Sequence, residues 1–352
     1  MPAFCQHTRK PLIPLSRTFP KFAGLDNADH FAISSNGVIY YLKARSVDYG
    51  PDYFLSEYES QYGKSYLEDE PNLRRLAASR LDWMDRVLVH SGLEVDWSAR
   101  GPTLLEIGSA AGFFLDEAKQ RGYRTLGVEI SRYASEIAQR KGHQILNASF
   151  ASPELFRFLD GSSVSVETSF ADRSEIEESA LFANGLSAAD ASLTADTAPT
   201  GNAYSAPADH NPSNTGNSIL SGGETAMDLL AAFYTLEHFP DQQLTFRRMA
   251  QLLKPGGLLL LSLPSYHGPL FRCSPEKWLS SHPEDHFADY SPESMALTLE
   301  LYGLKQIASR PSSFHRKRAC GWIRYMGDSF YRKWAMRKGF GDTMDILAVK
   351  SL

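Results

Sequence analysis

Leu104-Leu105-Glu106-Ile107-Gly108-Ser109-Ala110-Ala111-Gly112-Phe113-Phe114 decides the fold. An apolar run ends in an acid, turns through a glycine loop and continues into a helix-forming stretch. A second apolar run from Arg124 closes on Glu129, 23 residues after Glu106. Glycines let a loop backbone approach a ligand closely, and a carboxylate one βα unit later accepts both hydroxyls of a ribose. The spacing is not the G-x-G-x-x-G of dinucleotide binders: one glycine is missing and an acid precedes the first. The pattern therefore points to an adenosine-containing cofactor other than NAD.

Working outward, strands are predicted at Thr103–Ile107, Arg124–Glu129, Gln144–Leu146, Met227–Phe233 and Leu258–Leu263. Helices are predicted at Phe113–Arg121, Ser131–Lys141, Asp241–Leu253 and Ser291–Tyr302, with Ser131 and Ser291 as N-caps and Pro292 at a first helical position. Lys254-Pro255-Gly256-Gly257 reads as a helix stop and turn. Leu304–Ser309 and Met344–Val349 supply two further strands. Strands alternating with helices imply an α/β fold, a Rossmann-like, doubly wound and mostly parallel sheet of seven strands.

The chain divides into an irregular segment 1–50, a helical lid 51–100 and a cofactor-binding domain 101–352. Within 1–50 only Gly37–Leu42 has β character. In the lid, Leu73, Leu76, Ala77, Leu81, Met84, Val87 and Leu88 recur at helical spacing. Two insertions interrupt the last unit, at about 161–225 and at 310–338. The first allows a short helix at Glu175–Ala183. From Ser187 to Thr225 it is small and polar and cannot bury enough surface to offset its ordering entropy, so it reads as a disordered surface loop.

Seven acids and no base lie between Ser174 and Ala226, more than the whole net charge of −5, so the remainder is close to neutral. Arg310 to Lys338 instead carries nine bases against the single acid Asp328. Three widely spaced cysteines, Cys5, Cys273 and Cys320, argue against a disulfide framework and give no zinc pair. No apolar run reaches membrane-span length, and Met1–Lys10 lacks a signal-peptide core. A reduced, cytoplasmic setting is the expectation.

On these motifs the chain resembles the class I S-adenosylmethionine (SAM)-dependent methyltransferases, over residues 50–150, 226–310 and the end strand at 344–349. The resemblance implies SAM as cofactor. Its site would comprise Glu106, Gly108, Ser109, Ala110, Gly112, Phe113, Glu129, Ile130, Ser149, Phe150 and Phe233. Asn147-Ala148-Ser149-Phe150 stands where the family places a Gly-Asp or Gly-Thr pair, leaving Ser149 to meet the adenine amino group. Phe233-Tyr234-Thr235-Leu236-Glu237-His238-Phe239-Pro240-Asp241 resembles the family's Glu-His-Leu-Pro-Asp motif. His238 is the candidate base, with His286 of the Trp278–Pro292 segment a second candidate and Glu237 beside them. Alternatives are a Glu237-His238 pair that only shapes its loop and a His286 that is a surface histidine before a helix cap.

In some relatives the Glu-His pair and an earlier acid bind a divalent metal. Here Tyr234 occupies the earlier position, so no metal is expected. The tyrosine-rich stretch Tyr53 to Tyr66 resembles the lid of a bacterial small-molecule or sugar-type subgroup. Many of those proteins carry a zinc ribbon upstream. Cys5 and His7 lie near its first ligand pair, but Ile33–Gly37 supplies no second pair, so any ribbon remnant is metal-free.

The implied function is methyl transfer (EC 2.1.1.-) to an oxygen or carbon of a small molecule, a sugar or nucleotide-sugar leading. Two alternatives are an RNA methyltransferase using the 310–338 segment and a catalytically silent SAM-binding scaffold. No Asn/Asp-Pro-Pro-Tyr motif occurs, which disfavours exocyclic amino methylation of nucleic acid. The bland reading of 310–338 is an amphipathic insertion with a solvated basic face, and nucleic acid is not the favoured partner. The oligomeric state is open.

Overall fold

A computed structural model describes residues 4–47, 49–50, 58–93, 95, 101–160 and 226–352. Eleven strands form two sheets among these residues. A small antiparallel sheet takes β1 (Ile13–Pro14), β2 (Phe31–Ile33), β3 (Ile39–Tyr41) and, from far along the chain, β9 (Ala288–Asp289). The large sheet holds β4 (Thr103–Ile107), β5 (Arg124–Val128), β6 (Gln144–Leu146), β7 (Met227–Phe233), β8 (Leu253–Pro264), β10 (Leu304–Pro311) and β11 (Thr343–Lys350). Its order is β10-β11-β8-β7-β4-β5-β6, with β11 antiparallel to both neighbours and β4 to β8 mutually parallel. This is the Rossmann-like methyltransferase fold expected from the sequence.

The central strands read as continuous apolar runs because helices cover both faces. Leu104, Leu229, Leu258 and Leu260 pack with Leu81 and Met84 of the Glu70–Ser91 helix and with Leu115 of the Phe113–Gln120 helix. Leu105, Ile107, Leu230, Leu259 and Leu261 face the other way, towards Phe246 and Met249 of the Gln242–Leu252 helix and Met295 and Leu299 of the Pro292–Glu300 helix. The caps follow the sequence. Ser131 Oγ accepts from Ala134 N at 3.4 Å, Asp241 from Leu244 N at 2.9 Å and Ser291 from Ser294 N at 3.1 Å. Each meets a helix N–H that has no intrahelical acceptor.

Three expectations change. Lys254–Gly257 is not a turn between elements but the extended start of β8, paired through Leu253 to Met227, with Gly256 at φ +76° and a register shift before Leu229. Residues 4–47 are more regular than the sequence suggested. They fold onto β9 around Leu15, Phe22, Phe31 and Ile39, which pack against Phe271 and Trp278. The spacing of the cysteines argues against a disulfide framework, yet one disulfide joins Cys273 and Cys320, with Cα atoms 5.4 Å apart. The 47-residue separation concealed this closeness, which arises because the 310–338 insertion folds back beside the Pro269–Cys273 helix.

Cys5 is free and buried. Its sulfur meets Asn36 Oδ1 at 3.7 Å and Tyr40 Oη at 3.5 Å. His7 uses both ring nitrogens, Nδ1 with Tyr302 Oη at 2.9 Å and Nε2 with Tyr290 Oη at 3.2 Å. Burial first, against a weaker pull from Asp241, lowers its pKa to about 4 and keeps the ring neutral.

The expected disorder at 161–225, the helix at 175–183 and the first lid tyrosine, Tyr53, lie outside the described residues. No described helix is long and apolar enough to cross a membrane.

Candidate functional site

One cavity of about 660 Å³ opens at the carboxyl ends of β4, β5 and β7. In an open α/β sheet this edge is where loops leave the strands and where ligands collect. Ten of the eleven cofactor residues read from the sequence line it: Glu106, Gly108, Ser109, Ala110, Phe113, Glu129, Ile130, Ser149, Phe150 and Phe233. Gly112 does not. Its backbone is left-handed at φ +77°, and a Cβ there would lie 2.9 Å from His143 Cδ2 and 3.1 Å from Ala138 Cβ, so that glycine serves the turn into the helix and its packing. Gly108, at φ +72°, borders the cavity instead: its added Cβ would come within 2.5 Å of Thr235 Oγ1. The two loops bordering the cavity approach each other there.

Glu129 braces the glycine loop. Its Oε2 accepts from Ala110 N at 2.8 Å and its Oε1 from Ser131 N at 2.7 Å. Each oxygen has capacity for a second hydrogen bond. Ala110 is held in the left-handed region at φ +43°, and Tyr234 across the cavity at φ +53°. Strain of this kind in non-glycine residues persists where surrounding contacts over-determine it, and it clusters at ligand sites. Glu106 is buried with Oε2 unpartnered. Burial drives its pKa well above the usual carboxylate range, against the pull of Arg80. Ser109 Oγ is likewise buried without a partner. Two buried polar groups without a partner, one at the end of β4 and one on the loop that follows, both lining the cavity, fit a ligand that supplies the missing hydrogen bonds.

The other end of the cavity is assembled from distant segments. Tyr49, Tyr58, Tyr66, Arg80, Tyr234, His238 and Asp285 all border it. The Tyr66 ring stacks on Phe113, with centroids 5.5 Å apart and planes at 19°. The Arg80 guanidinium lies 4.3 Å above the Phe233 ring.

His238 sits in a short helical turn, Leu236–His238, directly after β7. Its Nδ1 lies 3.0 Å from Asp285 Oδ2 and 3.2 Å from the Asp285 carbonyl oxygen. Tyr49 Oη donates to the same carboxylate oxygen at 2.9 Å. Burial alone would lower the His238 pKa, but Asp285 and Glu237 together outweigh it and raise it. Asp285 is held to about 2, its own burial being overcome by His238 and Tyr49. The small sheet makes this pairing possible. β9 pairs with β3, Phe287 N donates to the Glu237 carbonyl at 2.7 Å, and residue 285 is thereby fixed against the turn that carries His238.

The second candidate base, His286, and the neighbouring candidate Glu237 are not in the cavity lining. The His286 ring lies 4.8 Å from that of His238, and burial, then the neighbouring His238, lowers its pKa to about 3. Glu237 is buried with Oε2 unpartnered, and burial raises its pKa to about 7. Ligating atoms of Glu237, His238 and His286 lie within 4.8 Å of one another, as do those of His282, His286 and Asp289. In the latter group, His282 Nε2 already meets Asp289 Oδ2 at 2.9 Å.

Asp285, Tyr49 and Arg80 were missed as site residues because nothing local marks them. Asp285 is one of several polar residues between Trp278 and Pro292, and only the β3–β9 pairing selects it.

Residues 76–309 match a family described as a methyltransferase domain. No curated protein sequence matches the chain. Similar solved structures include magnesium protoporphyrin IX methyltransferase from Synechocystis with bound S-adenosylhomocysteine. It has 13% identity and a TM-score of 0.44, over 85% of this chain and 97% of that one. A SAM-dependent methyltransferase from Archaeoglobus fulgidus is 14% identical with a TM-score of 0.44, over 86% of this chain and 100% of that one.

Proposed function

Because the chain belongs to this methyltransferase-domain family, we propose that its cavity binds SAM at the Glu106–Glu129 end. At the His238 end it would present a small acceptor for O- or C-methylation. The observation that carries this reading is His238, oriented by Asp285 and lining the same cavity as the glycine loop. S-adenosylmethionine supplies, when bound, an electrophilic methyl group on a sulfonium.

The chain's residues supply the rest. Glu129 is suited to accept ribose hydroxyls, and Ser149 with Phe150 to meet the adenine. The start of the Phe113–Gln120 helix faces the cavity with free N–H groups that favour a carboxylate. Phe150 both fills the core and borders the cavity, its ring 5.9 Å from Phe239. Asp285 fixes His238 through Nδ1, which leaves Nε2 as the atom to take a proton from an acceptor hydroxyl. Such positioned proton transfer contributes roughly 10²–10⁴-fold. His286 and Glu237 support the base from behind: a neutral imidazole and a half-protonated carboxyl pack against it and shut out water.

A sugar or nucleotide-sugar acceptor is the reading we favour. It rests on the lid resemblance and is supported by the tyrosine hydroxyls and Arg80 around that end, which suit a polyhydroxylated or phosphorylated molecule. The cytoplasmic location expected from the sequence loses its support from the cysteines, because the Cys273–Cys320 disulfide belongs to an oxidising setting.

The test is calorimetric titration of the purified chain with SAM, followed by transfer of labelled methyl groups to a panel of sugars and nucleotide-sugars. Micromolar binding, weakened in Glu129→Gln, is the expected result. A folded protein that fails to bind SAM overturns the enzyme reading, and binding without transfer to any panel member overturns the acceptor class.

A further inference from the structure

The segment between β10 and β11 leaves the sheet and folds on itself. It forms the turns Arg316–Arg318 and Gly321–Tyr325 and the helix Asp328–Lys338. Ala319, Met326, Tyr331, Ala335 and Phe340 make a small core of their own. The Cys273–Cys320 disulfide and the hydrogen bond from Leu270 N to Asp342 Oδ1, at 2.8 Å, fasten this unit to the body. It is therefore a built platform, and its outward side needs a reason.

That outward side is aromatic and cationic. Trp322 is 67% exposed, Tyr325 84% and Phe330 64%. Trp322 and Tyr325 are three residues apart in a turn of 3₁₀ type, which puts them on one side. On the helix, Tyr331 and Ala335 face inward, so at 100° per residue Phe330, Lys333, Met336 and Arg337 fall on the opposite face. Among the described residues, Lys317, Arg324, Lys333, Arg337 and Lys338 form no ion pair, while the segment's two acids, Asp328 and Asp342, are taken by Arg316 and Arg318. Large apolar side chains rarely cluster in water on a protein without a partner.

We propose that this platform docks the protein on an anionic lipid surface. Trp322, Tyr325, Phe330 and Met336 would enter the boundary between headgroups and acyl chains, with the free lysines and arginines opposite anionic headgroups. The composition selects this occupant. Interfacial anchors combine aromatic and apolar side chains with a basic face, each cation near the surface adding attraction that salt screens. RNA would use stacking rings and cations, but Met336 offers no stacking face and the aromatics line no groove.

The experiment is co-sedimentation of the full chain with phosphatidylcholine vesicles, with and without phosphatidylserine, beside an RNA gel shift. Binding is expected only to the anionic vesicles, and it should weaken as salt is added. It should fall about 10-fold or more in Trp322→Ala/Phe330→Ala and in Lys333→Glu/Arg337→Glu. SAM affinity, unchanged in both double variants, separates this from loss of folding. Equal binding to neutral vesicles, no binding to either, or RNA binding without vesicle binding each overturns the proposal.

Discussion

The two ends of the cavity are built by different rules. The cofactor end is centred on backbone: a strand end, a glycine loop and a helix start contributed by consecutive residues, braced by Glu129 through the Ala110 N–H. The acceptor end is made of side chains from five separated stretches, held by a sheet strand borrowed from position 288. A local motif can encode the first. The second exists only once the chain has folded. The same contrast separates tolerance to change: the cofactor end should fail in affinity, the acceptor end in turnover.

The largest effect tests that division directly. His238→Ala is expected to lower kcat by roughly 10²–10⁴-fold while leaving SAM affinity as it was, because the side chain acts only on the acceptor's proton. Steady-state kinetics beside calorimetry decides it. A loss of SAM affinity of the same size would place His238 in the cofactor site and dissolve the distinction between the two ends.

The converse variant is Glu129→Gln. It keeps an oxygen to accept one backbone bond but loses the charge-assisted partner for a ribose, a difference of about 1.5–3 kcal/mol, or roughly 10- to 100-fold in the dissociation constant for SAM. Gly108→Ala should weaken binding too, since its Cβ would press on Thr235 from a left-handed backbone. An unchanged dissociation constant in Glu129→Gln would leave that residue as a loop brace alone.

Legibility follows the same line. Glu106, Gly108 and Glu129 stand at fixed spacing because one βα unit has a fixed size, and the strands Thr103–Ile107 and Met227–Phe233 show in the sequence as apolar runs. Gly112 carries the right letter for other reasons, a left-handed φ of +77° and close packing against Ala138 and His143. Asp285 was invisible because its role depends on a two-residue strand, Ala288–Asp289, too short to leave a pattern. The Cys273–Cys320 pair escaped for the same reason: long-range closeness leaves no local mark.

A smaller effect sharpens the assignment inside the acceptor end. Asp285 raises the His238 pKa, and a general base works only when deprotonated, so the acidic limb of kcat/KM should lie above pH 6.5, the ordinary histidine value. In Asp285→Asn the imidazole loses its strongest stabilising partner, its pKa falls, and the limb should move to lower pH. The plateau should drop about 10-fold as the ring loses its orientation. A structural role alone would lower the plateau without moving the limb.

The smallest expected effect is none. Glu237, His238 and His286 lie close enough to share an ion, but the proposed base mechanism requires none. His238 is already held by Asp285 through Nδ1. Burial carries the Glu237 pKa to about 7. Tyr234 occupies the place where an additional acidic ligand would stand, and its backbone is committed to φ +53° beside the cavity. Dialysis against a chelator should therefore leave both SAM binding and turnover unchanged. Added Mg²⁺, Mn²⁺ or Zn²⁺ should restore nothing, because nothing was lost. Activity that disappears on chelation and returns with one of these ions would convert the His238 cluster from a base and its supports into a metal centre. The predicted pH behaviour of Asp285→Asn would then have to be derived again from the acidity of a metal-bound hydroxyl.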